Sequence, residues 1–136
     1  MAGRVCLDAG PITLYYQKDV PPNVKKLMKK IKNNQYNAIV PAVILTEVYK
    51  HLCLEGGMEH AENCVHSFRH YVKPKIIALT SELIIKSGMI KCQYSAKLSY
   101  NDAIAIATSL KYRATLHTTE KKFPKINSLR IETYNF

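Results

Sequence analysis

The sequence predicts an α/β domain: a parallel sheet with helices covering both of its faces. Three observations predict it. Short apolar runs without polar alternation recur along the chain, as expected of strands buried on both sides. Longer segments with helical periodicity separate them. One of these, from Ala103 through Ile104, Ala105, Ile106 and Ala107 to Leu110, is apolar on almost every side and belongs against a core. The 136 residues, 47% of them hydrophobic, suffice for one domain with one real core. No repeat, low-complexity tract or linker divides residues 1–136, which read as a single domain.

In chain order, the run Arg4-Val5-Cys6-Leu7 reads as a first strand that stops at Asp8, after which Gly10 and Pro11 turn the chain. Asp8 is a strand-end carboxylate, or alternatively the cap of a following helix. Residues 21–34 form an amphipathic helix with Val24, Leu27, Met28 and Ile31 on one face and Lys25, Lys26, Lys29, Lys30 and Lys32 around the rest. Residues 38–40 are a second strand, ended by Pro41. A helix over 42–54 follows, with Glu47 set among Ile44, Leu45 and Val48, and Gly56-Gly57 stops it. Residues 58–72 read as another helix with a stripe of Met58, Ala61, Val65, Phe68 and Val72. A strand over 75–79 leads to a helix from 81 to roughly 96, capped by Thr80 or Ser81. The apolar helix opens with Asp102 in its first turn. A buried strand over 114–116 ends at Thr118, Thr119 and Glu120, and residues 129–134 close the sheet.

Twenty basic residues against ten acids give a net charge of +10, which favours a polyanionic partner, nucleic acid above all. No apolar run approaches a membrane span and no signal peptide opens the chain, so the expectation is a cytoplasmic protein away from membranes. Cys6, Cys53, Cys64 and Cys92 form no Cys-x-x-Cys pair and read as free thiols. His60/Cys64 and His66/His70 have i, i+4 spacing, but the two pairs point in different directions around their helix and make no four-ligand zinc site.

With so few acids, those that recur at core edges require explanation. Asp8, Glu47, Asp102 and Glu120 each lie near a strand end or on a core-packed helix. In a parallel sheet such positions converge on the edge where ligands bind. Four carboxylates sharing one pocket repel one another, and a divalent cation removes that cost. Hard oxygen ligands suit Mg²⁺ or Mn²⁺. An acidic metal pocket on a basic protein is the electrostatic arrangement of a nuclease. Other α/β chemistries fit less well, because the chain lacks a Gly-rich phosphate loop and a Gly-x-Ser-x-Gly elbow.

The segments VCLDAG, ILTEV and NDAIAIATSLKYRATLHTTEKKFPKI resemble the PIN domain family, from Arg4 to about Glu132. The last segment is the most specific. The resemblance implies a three-layer α/β/α sandwich around a parallel sheet and Mg²⁺- or Mn²⁺-dependent cleavage of single-stranded RNA. VapC-type toxins of toxin–antitoxin pairs are the commonest single-domain members. That implies an antitoxin protein as partner and a homodimer as assembly.

By motif, Asp8, Glu47, Asp102 and Glu120 match the family's catalytic, metal-binding acids, and Thr118 matches a hydroxyl residue that orients ligands or water. Lys50, Lys121 and Lys122 are candidates for RNA backbone contacts. Two positions depart from the pattern. Glu120 stands where an Asp is usual, and Gly10 replaces a Ser, Thr or Asn near the first acid. The implied reaction is in-line attack of activated water on phosphorus, leaving a 5′-phosphate and a 3′-hydroxyl. The departures motivate an alternative, an RNA-binding or regulatory module without turnover; a structural subunit of a larger assembly stands as a third reading.

Overall fold

The computed structural model describes residues 3–136. Five strands, β1 (Gly3–Leu7), β2 (Tyr36–Pro41), β3 (Lys75–Ile77), β4 (Thr115–Thr118) and β5 (Ile131–Thr133), form one sheet in the order β3-β2-β1-β4-β5. Every neighbouring pair is parallel. The helices are α1 (Ala9–Tyr15), α2 (Pro22–Lys32), α3 (Ala42–Gly56), α4 (Met58–Ser67), α5 (Ser81–Gln93) and α6 (Tyr100–Tyr112).

The central strand is also the first. β1 pairs with β2 on one side and β4 on the other, with Val5 opposite both Ala38 and Thr115. Val5, Cys6 and Leu7 are all buried, which explains why β1 carries no polar alternation. The Cys6 thiol points at Ala105 O of α6, so Cys6 faces that helix and Val5 and Leu7 face the other layer. α6 packs on β1, β2 and β4, with α5 against it; α1 and α2 pack on the sheet from the other side, joined by α3 and α4. Phe68, Leu7, Ile12, Met28, Ile106 and Leu116 fill the core. All-round burial of α6 at Ala103, Ala105, Ile106 and Ala107 follows from its place between the sheet and α5.

Three expectations are corrected in detail. Gly10 and Pro11 do not turn the chain but lie inside α1, which starts directly after Asp8. Pro11 falls in the first turn, where a missing N–H leaves no helical bond unmade. The helix expected over 58–72 is regular only to Ser67; Phe68–Val72 is a π-helical turn, closed by Lys73 N donating to Phe68 O at 3.3 Å. The third and last strands are shorter than their apolar runs, ending at Ile77 and confined to Ile131–Thr133. All four cysteines are free. Among the described residues no helix is long and apolar enough to cross a membrane.

Candidate acidic active site

Asp8 leaves β1 and caps α1 with extended backbone, φ −83° and ψ 173°. One carboxylate oxygen accepts from Ala9 N at 2.9 Å and the other from the Thr118 hydroxyl at 2.7 Å. Thr118 is the last residue of β4, placed beside Asp8 because β1 and β4 are adjacent and parallel. Its hydroxyl also accepts from Glu120 N at 3.1 Å, so one side chain ties the end of β1 to the turn that follows β4. Asp8 is only 6% exposed. Burial pushes its pKa up to about 6, against the lowering effect of the Thr118 and Ala9 bonds; the negative charges of Asp102 and Glu47 push it further up.

Asp102 sits at the start of α6 in a reciprocal cap. Ser99 Oγ accepts from Asp102 N, and an Asp102 carboxylate oxygen accepts from Ser99 N, both at 3.1 Å. Burial raises its pKa, opposed by the bonds from Ser99; Glu120 and Glu47 raise it further. Glu47 reaches in from α3. It accepts from Asn101 Nδ2 at 2.8 Å and lies 3.6 Å from His51 Nε2, one helical turn on. Glu120 is exposed, and its carboxylate folds back to accept from the backbone amides of Lys121 and Lys122 at 3.2 and 3.3 Å.

The four acids thus gather at the C-terminal edge of the sheet, as their positions predict. Glu47, Asp102 and Glu120 line an open cleft of about 610 Å³ together with Lys50, His51 and Asn101. Asp8 lies buried within electrostatic reach of Asp102 and Glu47. They do not stand as a closed ligand shell: among the described residues no three His, Cys, Asp or Glu side chains are grouped closely enough to grip an ion. Each acid instead accepts hydrogen bonds of its own: Asp8 from Ala9 and Thr118, Glu47 from Asn101, Asp102 from Ser99, and Glu120 from the amides of Lys121 and Lys122. Lys50 lines the cleft, whereas Lys121 and Lys122 contribute backbone amides to Glu120. Asn101, which stands immediately before Asp102 and holds Glu47, is an addition that the sequence reading lacks; His51, one turn beyond Glu47, is the neighbour that its i, i+4 spacing gives. Cys64 and His60 approach to 3.8 Å but gather no further ligand among the described residues.

The departure at Gly10 has a steric counterpart. A Cβ at position 10 would overlap the Thr119 hydroxyl and stand 2.5 Å and 2.8 Å from Thr119 Cγ2 and Cβ. Space that a side chain on α1 would occupy is filled from the turn after β4.

A parallel α/β sheet with carboxylates from β1, α3, α6 and the turn after β4 at one edge is the architecture of a PIN domain. The family model described as "PIN domain" matches residues 5–129, and the chain belongs to that family. Solved structures show the same fold. A chain of the VapBC2 complex from Rickettsia felis, crystallised with a promoter DNA fragment, is 18% identical, with 97% of this chain and 99% of that one covered and a TM-score of 0.76. A chain of a toxin–antitoxin complex from Klebsiella pneumoniae is also 18% identical, with 97% and 99% covered and a TM-score of 0.67. VapC20 of Mycobacterium tuberculosis, a toxin that cleaves the sarcin–ricin loop, is 14% identical, with 82% and 85% covered and a TM-score of 0.68. No curated protein matches the sequence significantly.

Proposed function

We propose that the protein is a metal-dependent endoribonuclease that cuts single-stranded RNA, and the toxin of a toxin–antitoxin pair. The observation that carries this reading is the convergence of Asp8, Glu47, Asp102 and Glu120 on one sheet edge, with Asp8 buried and its pKa raised to about 6. A fold that holds a buried carboxylate beside two others is destabilised by their charge unless a cation is shared among them. The donor set, all carboxylate oxygens, fits Mg²⁺ or Mn²⁺. Asp8, Asp102 and Glu120 would hold the ion, and when bound it supplies Lewis acidity toward a phosphoryl oxygen and acidifies water.

The chain's own residues do the remaining work. Thr118 fixes the orientation of the Asp8 carboxylate through its 2.7 Å bond. Glu47, held by Asn101, accepts the proton of the attacking water. Lys50, on the wall of the cleft, positions a phosphate. Its partner is an antitoxin, a separate protein; the assembly is a homodimer, and the enzyme acts in the cytoplasm. The similarity to chains from toxin–antitoxin complexes supports this assignment of partner.

The test is cleavage of a labelled single-stranded RNA pool with Mn²⁺, Mg²⁺ or EDTA, running Asp102→Asn beside the parent. Cutting that needs metal and disappears in the variant is the expected result. A variant that cuts at the parent rate overturns the site. The Glu120 carboxylate, bonded back to its own turn, favours a second reading as an RNA-binding module without turnover. That reading predicts salt-sensitive binding and no cutting by either protein.

A further inference from the structure

The acidic cleft is a poor place to hold a polyanion. Glu47, Asp102 and Glu120 line it against Lys50, so even with a divalent cation shared among the acids the cleft offers an entering RNA strand no net positive charge. The opposite edge of the sheet, where the strands begin, has the reverse character. Two cavities, of about 430 and 700 Å³, meet there and share Arg4 and Tyr36 as walls. Lys26, Lys30 and Arg130 line the first; Lys32, Lys73 and Lys75 line the second. Seven basic side chains therefore face a single acid, Glu132. Tyrosines are interleaved among them: Tyr36, Tyr112 and Tyr71, the last 66% exposed.

Part of this charge has a structural duty. Arg4 Nη1 donates to Tyr112 O at 3.0 Å and Arg130 Nη2 to Arg113 O at 3.2 Å, which places both guanidinium groups at the negative end of α6. Lys30 lies over the Tyr36 ring, and Lys32 over that of Tyr15. Carbonyls and rings are neutral, however, and leave the positive charge in place. The two ion pairs among the described residues, His51–Glu47 and Lys111–Glu82, lie elsewhere. Lys26, Lys73 and Lys75 are exposed and take no part in the interactions just described.

We propose that this double groove is a docking site for the backbone of single-stranded RNA, distinct from the cleft that cuts it. The cations bind phosphates, and the tyrosine faces stack bases, the combination that holds single strands without sequence preference. One edge of the sheet supplies affinity and the other supplies chemistry. The five residues of β1 separate them by about 16 Å at roughly 3.3 Å per residue. The inference rests on RNA being the substrate, but not on turnover, so it is tested in protein that cannot cut.

In an Asp102→Asn background, the triple variant Lys26→Gln, Lys73→Gln, Lys75→Gln is compared with Lys18→Gln, Lys86→Gln, Lys97→Gln. The second set removes the same charge from three exposed lysines outside both cavities. Fluorescence anisotropy reads the binding of a labelled RNA of about 20 nucleotides between roughly 50 and 200 mM salt. The groove variant should bind at least about tenfold more weakly, with a log K against log salt slope shallower by about 2, at about 0.7 for each phosphate no longer neutralised. The second variant should stay within about threefold of the parent. Equal weakening by both variants overturns the groove, because total charge then suffices. If the groove variant binds like the parent while the otherwise unaltered protein cuts RNA, the groove falls and the nuclease reading stands. Selective weakening by the groove variant in a protein that never cuts upholds the groove and removes the nuclease reading. A parent that binds no RNA overturns both.

Discussion

Replacing Asp8 with Asn should make the protein more stable while abolishing its activity. The raised pKa of Asp8 means that the folded protein favours the protonated carboxyl. This group's contribution to stability is complete below its ordinary pKa of 3.8 and is lost as pH climbs through about 6. At about 1.36 kcal/mol per pH unit, the rise from 3.8 to about 6 costs the native state about 3 kcal/mol at neutral pH. Asn carries no charge but keeps an oxygen for Ala9 N and an amide for the Thr118 hydroxyl, so the cap survives. With some loss of bond quality, a net gain of about 1–2 kcal/mol is expected, or about 3–8 °C in Tm for a chain of this size. Chemical unfolding of both proteins without divalent metal, at about pH 7.5 and about pH 4.5, measures it. The charge penalty that separates them should shrink from about 3 to about 1 kcal/mol between those pH values. Added Mn²⁺ should raise the Tm of the parent and not of the variant. A variant no more stable than the parent at either pH would refute the view that Asp8 is held against its electrostatic preference.

Other consequences follow from the same geometry. Gly10→Ser should destabilise by about 1–3 kcal/mol through overlap with Thr119, and Thr119→Ala in the same chain should restore most of that loss; chemical unfolding of the two single variants and the double variant reads the coupling. Thr118→Val removes a donor to Asp8 and an acceptor for Glu120 N. It should cost about 1–3 kcal/mol and move the acidic limb of the pH–rate profile upward, because the lost hydrogen bond lowers the Asp8 pKa. Asn101→Leu releases Glu47 and should lower kcat with little change in Tm, checked by single-turnover cleavage beside thermal unfolding.

Much of the fold is legible in the sequence because parallel strands buried on both faces leave short unbroken apolar runs, as Val5-Cys6-Leu7 in β1 and Ala38-Ile39-Val40 in β2 do; β4, Thr-Leu-His-Thr, is buried with polar residues and is marked only by Ala114 and Leu116. The positions of Asp8 and Asp102 are legible because a strand end and a helix start leave local signatures. Less legible is what those same residues do for the backbone. Gly10-Pro11 reads as a turn although Asp8 caps a helix that tolerates Pro11 in its first turn. Ser99-x-x-Asp102 is a capping box, a local signal overshadowed by the apolar run that follows it. The grip of Asn101 on Glu47 spans 54 residues and leaves no local trace. The same holds for the gathering of basic side chains on the far edge, where Arg4, Lys26, Lys75 and Arg130 come together only once the strands are ordered. The π-helical turn at Phe68–Val72 leaves the helical spacing of its two buried residues intact, so periodicity gives no warning of it.

The sheet's order also has a consequence in time. The first strand made is the central one, and the Thr118 hydroxyl that fixes Asp8 lies 110 residues further along the chain. At about 5–20 residues per second, a ribosome needs roughly 6–20 s to bridge that interval. Until then β1 lacks its neighbour β4, and the four carboxylates are not in one place. Under the proposed function, a half-made chain would be unable to cut the message from which it is being translated, and the delay would leave an interval in which a restraining partner could be present before the four acids are assembled.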